Sequence, residues 1–331
     1  MQHLTGTQYL QCEIACKHDK AMEKEVWDTR LSHFASIDLD DPKTFKSASN
    51  PIGLRAAHVA YQKAINQEPI GYMISLDATS SGLQILSLLV SCPDSWNLCG
   101  GRNDTCESAY RVIYDAMGVS ETLTQKEVKD TIMTAFYGST AMPSNTFGEN
   151  VDTFYNTVEA LAPGAWNLNL GLQSLWDEVG DSIYSWILPD NFHACIETKD
   201  KEFVPFTFLD EHYKLPVKVD GRPEFHKGLG PNLVHSIDGL IVREMLRRCM
   251  FDRKVINRVC DAIATTNPGK TGRSAPMVKI LWDRYLETGF LSARIFDYIH
   301  GDTIGLVDVN IIFDLLDTLP TKPFDVVTVH D

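Results

Sequence analysis

No stretch of this sequence stays apolar long enough to span a bilayer. The opening residues, Met1-Gln2-His3-Leu4-Thr5, lack the blocks of a secretory signal. Together these predict no membrane partner and a cytoplasmic location. Basic residues are also short: 30 Lys and Arg stand against 44 Asp and Glu, a net charge of −14. Phosphate neutralisation needs cations, so this balance argues against a free-standing nucleic-acid binder. It leaves room for a basic channel on an acidic body, or for a basic partner chain. The eight cysteines, at positions 12, 16, 92, 99, 106, 195, 249 and 260, form no disulfide framework, which fits a reducing compartment. Cys12, Cys16 and His18 begin a zinc-like spacing, but no second half follows. Asn267-Pro268-Gly269-Lys270-Thr271 lacks the earlier glycine of a phosphate loop, Ala264 standing in its place, and no strand precedes it.

What is present is a chain of 331 residues, 44% hydrophobic and 22% charged, long enough for more than one subdomain. Its organising stretch is Tyr72-Met73-Ile74-Ser75-Leu76-Asp77-Ala78-Thr79-Ser80-Ser81-Gly82-Leu83-Gln84. The apolar run Tyr72 to Leu76 reads as a buried strand ending on Asp77. Small residues and Gly82 follow, and then a helix with Leu83, Leu86 and Val90 on one face. A carboxylate at a strand end, before a loop without bulky side chains, suits a metal beneath a large substrate. The plainer reading is an aspartate capping the next helix.

Along the chain, the first forty residues read as helices closed by the loop Asp38 to Pro42. Asn50-Pro51 starts a helix to about Gln67, with Leu54, Ala57, Tyr61 and Ile65 inward. Helices are predicted from about Asp104 to Met117 and from near Ser120. The latter carries Val128, Ile132, Ala135 and Phe136 as a core stripe. Lys129, Met133 and Tyr137 lie on an adjacent face, at i, i+4 and i+8. That spacing puts Lys129 and Tyr137 about 12 Å apart along the axis, near the span of an extended nucleoside triphosphate. Gly138 ends the helix. Residues 147–186 read as helices, Pro189 to Phe192 as a turn, and His193 to Ile196, Glu202 to Phe208 and Leu215 to Val219 as strands. Asp220-Gly221 reads as a turn after the last of them. Gly228 to Gly239 introduces a helix with Leu233, Ile237, Ile241 and Met245 buried, His235 and Asp238 on another face, and Arg243, Arg247 and Arg248 suiting the C-terminal dipole. Residues 252–320 read as a helical insertion, and Phe324 to Asp331 as a strand cut at its polar end.

In order, four of these segments resemble motifs of the single-subunit DNA-directed RNA polymerases, the T7-like phage and mitochondrial enzymes. Asp77 to Gln84 matches D-x-x-x-S-G-x-Q, and Lys129 to Gly138 matches K-x-x-x-M-T-x-x-Y-G. Pro231 to Gly239 resembles P-N-F-V-H-S-x-D-G, and Val329-His330-Asp331 resembles hydrophobic-H-D-S cut before its serine. The resemblance implies an α/β right-hand polymerase: a palm with a mostly helical fingers insertion, without the N-terminal domain and thumb. It divides the chain into residues 1–92 (N-terminal helices and first palm part), 93–230 (fingers) and 231–331 (palm continuation, with the insertion at about 252–320).

It further implies two Mg²⁺ ions held by Asp77 and Asp331 with the carbonyl of Ala78, and catalysis by Asp77, Asp331 and Lys129. Lys129, helped by Lys126, would bind the triphosphate, and Lys129 would protonate the leaving group. Tyr137 would stack near the incoming sugar and help choose ribose, and Gly138 and Ala78 would also bind the nucleotide. His235 would touch the nucleotide or the primer-terminal pair. Ser81, Gly82, Gln84, Met133 and His330 would support the site. The partners implied are rNTPs, a DNA template, the RNA product, and a second polymerase subunit or the missing N-terminal region, in an infected host cell if the gene is a phage's.

Several positions depart from the pattern. Gln125 stands where the family has arginine, Asp130 where a basic residue is common, and the insertion is long. Two rivals follow. One is a family-A-like DNA polymerase, which would carry a glutamate in the first motif. The other is an inactive polymerase-derived subunit that binds nucleic acid or a partner.

Overall fold

The Asn50-Pro51 helix start is the one the chain uses, whereas the helix expected from near Ser120 starts at Gln125. In the computed structural model, which describes residues 4–75, 80–99, 108–119, 123–175, 183–197, 199–220 and 228–328, Thr5 caps α1 (Gly6–His18) with a complete capping box. After α2 (Trp27–Ser36) and α3 (Pro42–Ser47), Asn50 accepts the Gly53 amide at 2.9 Å to start α4 (Pro51–Ile65), with Pro51 in its first turn. The chain divides into two compact units, Met1–Leu170 and Gly171–Asp331.

In the first unit, Ile14, Ala48, Leu54 and Ala57 form one core, with Phe34, Tyr61 and Tyr72 packed against it. The predicted inward stripe of α4 holds for Leu54 and Ala57 but not for Ile65, which is exposed at the last turn. His18 Nδ1 and His33 Nε2 lie 3.1 Å apart and tie α1 to α2. Burial, and then the neighbouring His33, push His18 below its ordinary value. A depressed histidine binds its proton more readily in the unfolded chain. Stability is therefore complete above the unfolded value, about 6.5, and falls as pH drops below it. We expect the thermal midpoint to fall between pH 7.5 and 5.5, and to fall less in His33→Asn. Buried His58, also shifted down, would carry the remainder. An equal fall in both proteins would remove the pair from the account.

Tyr72 to Ser75, the described part of the predicted strand, form no strand. Residues 71–75 carry no regular structure, Met73 is exposed, and Leu76 lies outside the described residues. An extended segment becomes a strand only by pairing, and residues 71–75 pair with none among the described residues. Instead the Tyr72 hydroxyl donates to Glu13 at 3.1 Å, which fixes the segment against α1.

Among the described residues, five short helices follow in this unit: α5 (Ser81–Leu89), α6 (Pro93–Leu98), α7 (Ala109–Ala116), α8 (Gln125–Phe136) and α9 (Ala141–Phe147). They are followed by α10 (Val151–Leu161) and α11 (Pro163–Ser174). Leu83 and Leu86 of α5 are buried as expected, whereas Val90 is an exposed cap. The start of the predicted 104–117 helix lies outside the described residues, and its remainder is α7. Aromatic contacts knit α8 to α11: Phe136 meets Trp166 edge-on at 5.5 Å, and Phe147 stacks on Phe154 at 4.9 Å.

The second unit begins with two antiparallel ribbons, β1 (Ile183–Ile187) with β2 (His193–Glu197), and β3 (Lys199–Phe208) with β4 (Glu211–Asp220). Trp186, expected on a helix, lies on β1. Alternating exposure along Ile183 to Ile187 is the strand pattern that the Trp and Leu content of this region obscures. The turn of the second ribbon is at Leu209-Asp210 (φ 51° and 63°). Asp220 continues β4, and Gly221 lies outside the described residues.

Four helices follow: α12 (Leu229–Cys249), α13 (Arg253–Ile263), α14 (Ala275–Thr288) and α15 (Val309–Asp317). The last three enclose a core with Val278, Leu281, Ile295, Ile299 and Ile312, so the helical reading of 252–320 stands. The 267–272 loop is no phosphate cradle, because its Gly269, Thr271 and Gly272 amides already donate to Gly301 and Asp302 carbonyls. Phe324 to Thr328 form no strand, though the Phe324 amide donates to the Cys249 carbonyl at 2.9 Å; the remaining residues lie outside the described set.

Among the described residues the architecture is thus mixed α/β, mostly helical with two small antiparallel ribbons. Among the described residues, no helix is long and apolar enough to cross a membrane.

The helix α12 is rotated from the sequence expectation. Val234, Leu240 and Glu244 face inward, whereas Ile241 and Met245 are exposed and Leu233 and Ile237 half-buried. Charge explains the turn. Asp190, 1% exposed, accepts from Arg243 Nε at 2.6 Å and Arg247 Nη1 at 2.9 Å. Glu244, 5% exposed, accepts from Arg247, Arg248, the Ser292 hydroxyl and the Ala293 amide. Buried carboxylates need such partners, and the partners sit on one side of the helix. The three arginines therefore tie α12 to its surroundings rather than only complementing its dipole.

Candidate functional site

Two helix ends meet in the first unit. At one, Ser80 precedes α5; at the other, α8 stops at Tyr137. A β-carbon on Gly82, in the first turn of α5, would lie 2.5 Å from the Tyr137 hydroxyl oxygen and 3.2 Å from its Cζ. No side chain fits between, so the tyrosine ring tip rests on the glycine backbone. Segments far apart in sequence, the second motif's tyrosine and the first motif's glycine, share one surface.

The position of Tyr137 is set by how α8 begins and ends. Thr124 and Glu127 form a capping box, the Thr124 amide reaching Glu127 Oε2 at 2.9 Å. These hydrogen bonds hold the Glu127 carboxyl below its usual range. Val128, Ile132, Ala135 and Phe136 are all buried, as their spacing predicts. At the far end Gly138 takes φ +85°, its amide donates to Ala135, and the Ser139 amide donates to Thr134. This is the Schellman pattern, which needs a left-handed residue at Gly138. Asn169 of α11, 1% exposed, adds its side-chain amide to the Ala135 carbonyl at 3.3 Å. Behind the ring, burial pushes the Tyr110 hydroxyl up to about 12, with Tyr137 and Cys99 contributing.

Gln84 donates to the Cys99 carbonyl at 2.9 Å, which joins α5 to the end of α6. Ser81 is the first residue of α5 and half-buried. Ser80 makes no cap hydrogen bond, and its buried hydroxyl has no partner among the described residues. An unmet buried hydroxyl costs about 1–3 kcal/mol. Met133 is half-buried, while Lys126 and Lys129 are exposed along α8.

The expected residues thus fall into three groups. Ser81, Gly82, Gln84, Lys126, Lys129, Met133, Tyr137 and Gly138 stand on two helices of the first unit. His235 is exposed on α12 of the second, one residue before Ser236, which accepts the Trp186 indole N–H at 2.9 Å. Asp77, Ala78, His330 and Asp331 lie outside the described residues. Three contributors escaped the sequence reading: Ser80, Tyr110 and Asn169. Only Asn169 left a signal, a polar residue between Leu168 and Leu170 in an otherwise core-like run.

No protein-family model matches the chain, and no curated protein does. No group of three or more His, Cys, Asp or Glu residues able to hold a metal occurs among the described residues.

Proposed function

We propose that the chain is the palm-and-fingers part of a DNA-directed RNA polymerase, transferring nucleotides from rNTPs to an RNA 3′-hydroxyl on a DNA template. The observation that carries this reading is the seat of Tyr137 on Gly82. It joins the loop-to-helix segment after Asp77 to the helix bearing Lys129, as a site built from both motifs requires.

Asp77, Asp331 and the Ala78 carbonyl would hold Mg²⁺, since two carboxylates and a carbonyl are the hard oxygen donors this ion takes. The buried Ser80 hydroxyl beside that segment, without a partner among the described residues, is consistent with a polar occupant. Bound there, two such ions would stabilise the charge of the attacking hydroxyl and leaving pyrophosphate. Lys129 brings an exposed cation about two turns, roughly 12 Å, from Tyr137 along α8, in position for the triphosphate and a proton for the leaving group. Tyr137, its ring tip held by Gly82, is rigid enough to judge the sugar. His235 would approach the nucleotide or primer end. The net charge of −14 favours a second polypeptide that supplies the basic groove. It also keeps a second reading in view, a polymerase-derived subunit that only binds a partner.

Primer extension on an RNA-primed DNA template, with Mg²⁺, rNTPs or dNTPs, and candidate partner subunits, tests the proposal. Extension with rNTPs that falls by about 10³ or more in Asp77→Asn is the expected result. Preference for dNTPs would move the assignment to DNA synthesis. No extension under any of these conditions would leave the binding subunit.

A further inference from the structure

We propose that the open groove on the outer face of α4 is a docking surface for an acidic amphipathic helix of another polypeptide. The groove encloses about 640 Å³ between α4 and residues 70–72. Its floor is apolar: Ile52 is 85% exposed, Val59 39% and Ile70 37%. The opposite face of α4 is already used, with Leu54 and Ala57 in the core. A helix apolar on both faces is ordinarily covered on both. Ile52 and Val59 are two turns apart, the spacing at which one helix lies along another.

Charge identifies the occupant. The lysine and arginine on the groove, Lys63 and Arg55, are cations, and no carboxylate lines it among the described residues. Neither makes a salt bridge among the described residues; Arg55 instead lies over the Phe45 ring at 5.5 Å. On a chain of net charge −14 this is a local reversal of sign. Two helical turns, roughly 12 Å, separate the two cations, which matches carboxylates two turns apart on a facing helix. A second copy of this chain is a poor occupant. A two-fold pairing would set the same cationic face against itself.

Docking here reaches beyond α4. The groove wall at Ile70 to Tyr72 is anchored through Tyr72 to Glu13 and runs on in sequence towards Asp77. The partner helix would therefore brace the segment that leads to the first motif, whatever chemistry that motif performs.

The test uses a labelled synthetic helix with leucines on one face and flanking glutamates, and its lysine-for-glutamate counterpart. Each is titrated with the full chain by fluorescence anisotropy. Exposed positions are varied, so folding is preserved: Arg55→Glu with Lys63→Glu, and Ile52→Glu. The acidic helix should bind about tenfold tighter than its basic counterpart, with the preference reversed in the double charge variant. Ile52→Glu should weaken the acidic helix by a similar factor. Equal binding of the two helices, or none, overturns the proposal. So does sedimentation showing self-association that Ile52→Glu abolishes, because the occupant would then be a second copy.

Discussion

On the proposed function, Gly82→Ala should reduce templated RNA synthesis by about a hundredfold or more, with little change in the thermal midpoint. A β-carbon there would stand 2.5 Å from the Tyr137 hydroxyl, far inside van der Waals contact. The obstacle is the tip of a side chain, so the tyrosine swings away and the helices keep their packing. A displacement of about 1 Å in a substrate-facing group is enough to cost two orders of magnitude. The companion variant distinguishes this from a general defect. Tyr137→Phe removes the colliding oxygen, leaving Cζ at 3.2 Å as the nearest ring atom. Gly82→Ala combined with Tyr137→Phe should therefore be more active than Gly82→Ala alone, a coupling of about 1 kcal/mol or more. Discrimination between rNTP and dNTP should weaken in both tyrosine-perturbed proteins. Wild-type rates and sugar selectivity in Gly82→Ala would mean that the seat has no part in function.

Glu244→Ala is expected to destabilise the second unit by about 3–5 kcal/mol, the usual cost of removing one partner from a buried ionic network. Glu244 is 5% exposed and holds Arg247, Arg248, Ser292 and Ala293 at once. Without it two guanidinium groups lose a partner, and the Ser292 O–H and Ala293 N–H lose their acceptor. Hydrogen exchange locates the effect: amides of α13, α14 and α15 should exchange much faster, while those of α1 and α4 stay as in the parent. Asp190 gives the same network a pH signature. Burial pushes its carboxyl up, but hydrogen bonds and charge from Arg243 and Arg247 outweigh that and leave it below its usual value. A depressed carboxyl stabilises above the unfolded value near 3.9, and that contribution disappears as pH falls through the folded value. Acid should therefore loosen this unit early. Unchanged exchange in Glu244→Ala would show that apolar packing alone holds it.

Periodicity and caps were readable because they are local. Asn50-Pro51, the buried stripe from Val128 to Phe136 and the glycine stop at 138 each depend on residues within a turn or two. What pairs at a distance was not readable in the same way. Tyr72 to Leu76 has the composition of a strand, but strand formation needs a neighbour, and the described part of the segment is held by a tyrosine–glutamate contact instead. The helix α12 carries a regular apolar stripe, yet two buried carboxylates with arginine partners turn another face inward. For the candidate site, the motif spacing pointed to Gly82 and Tyr137 separately; their contact depends on how α5 packs near α8. Asn169 and Tyr110 act from helices that no motif covers, so their roles emerge only from packing.

The ribbon formed by β3 and β4 shows Val204, Phe206, Phe208, Tyr213 and Leu215 on one face, every one of them 43–59% exposed. A sticky two-stranded ribbon with both edges open is normally an invitation to fibril growth. Here each strand carries one proline, Pro205 in β3 and Pro216 in β4. Proline is tolerated in a ladder only where its missing N–H would point to the outer edge. Each edge is therefore interrupted, and a further strand cannot zip onto either side. The ribbon can be greasy without being contagious, and its surface residues can vary without seeding a longer sheet.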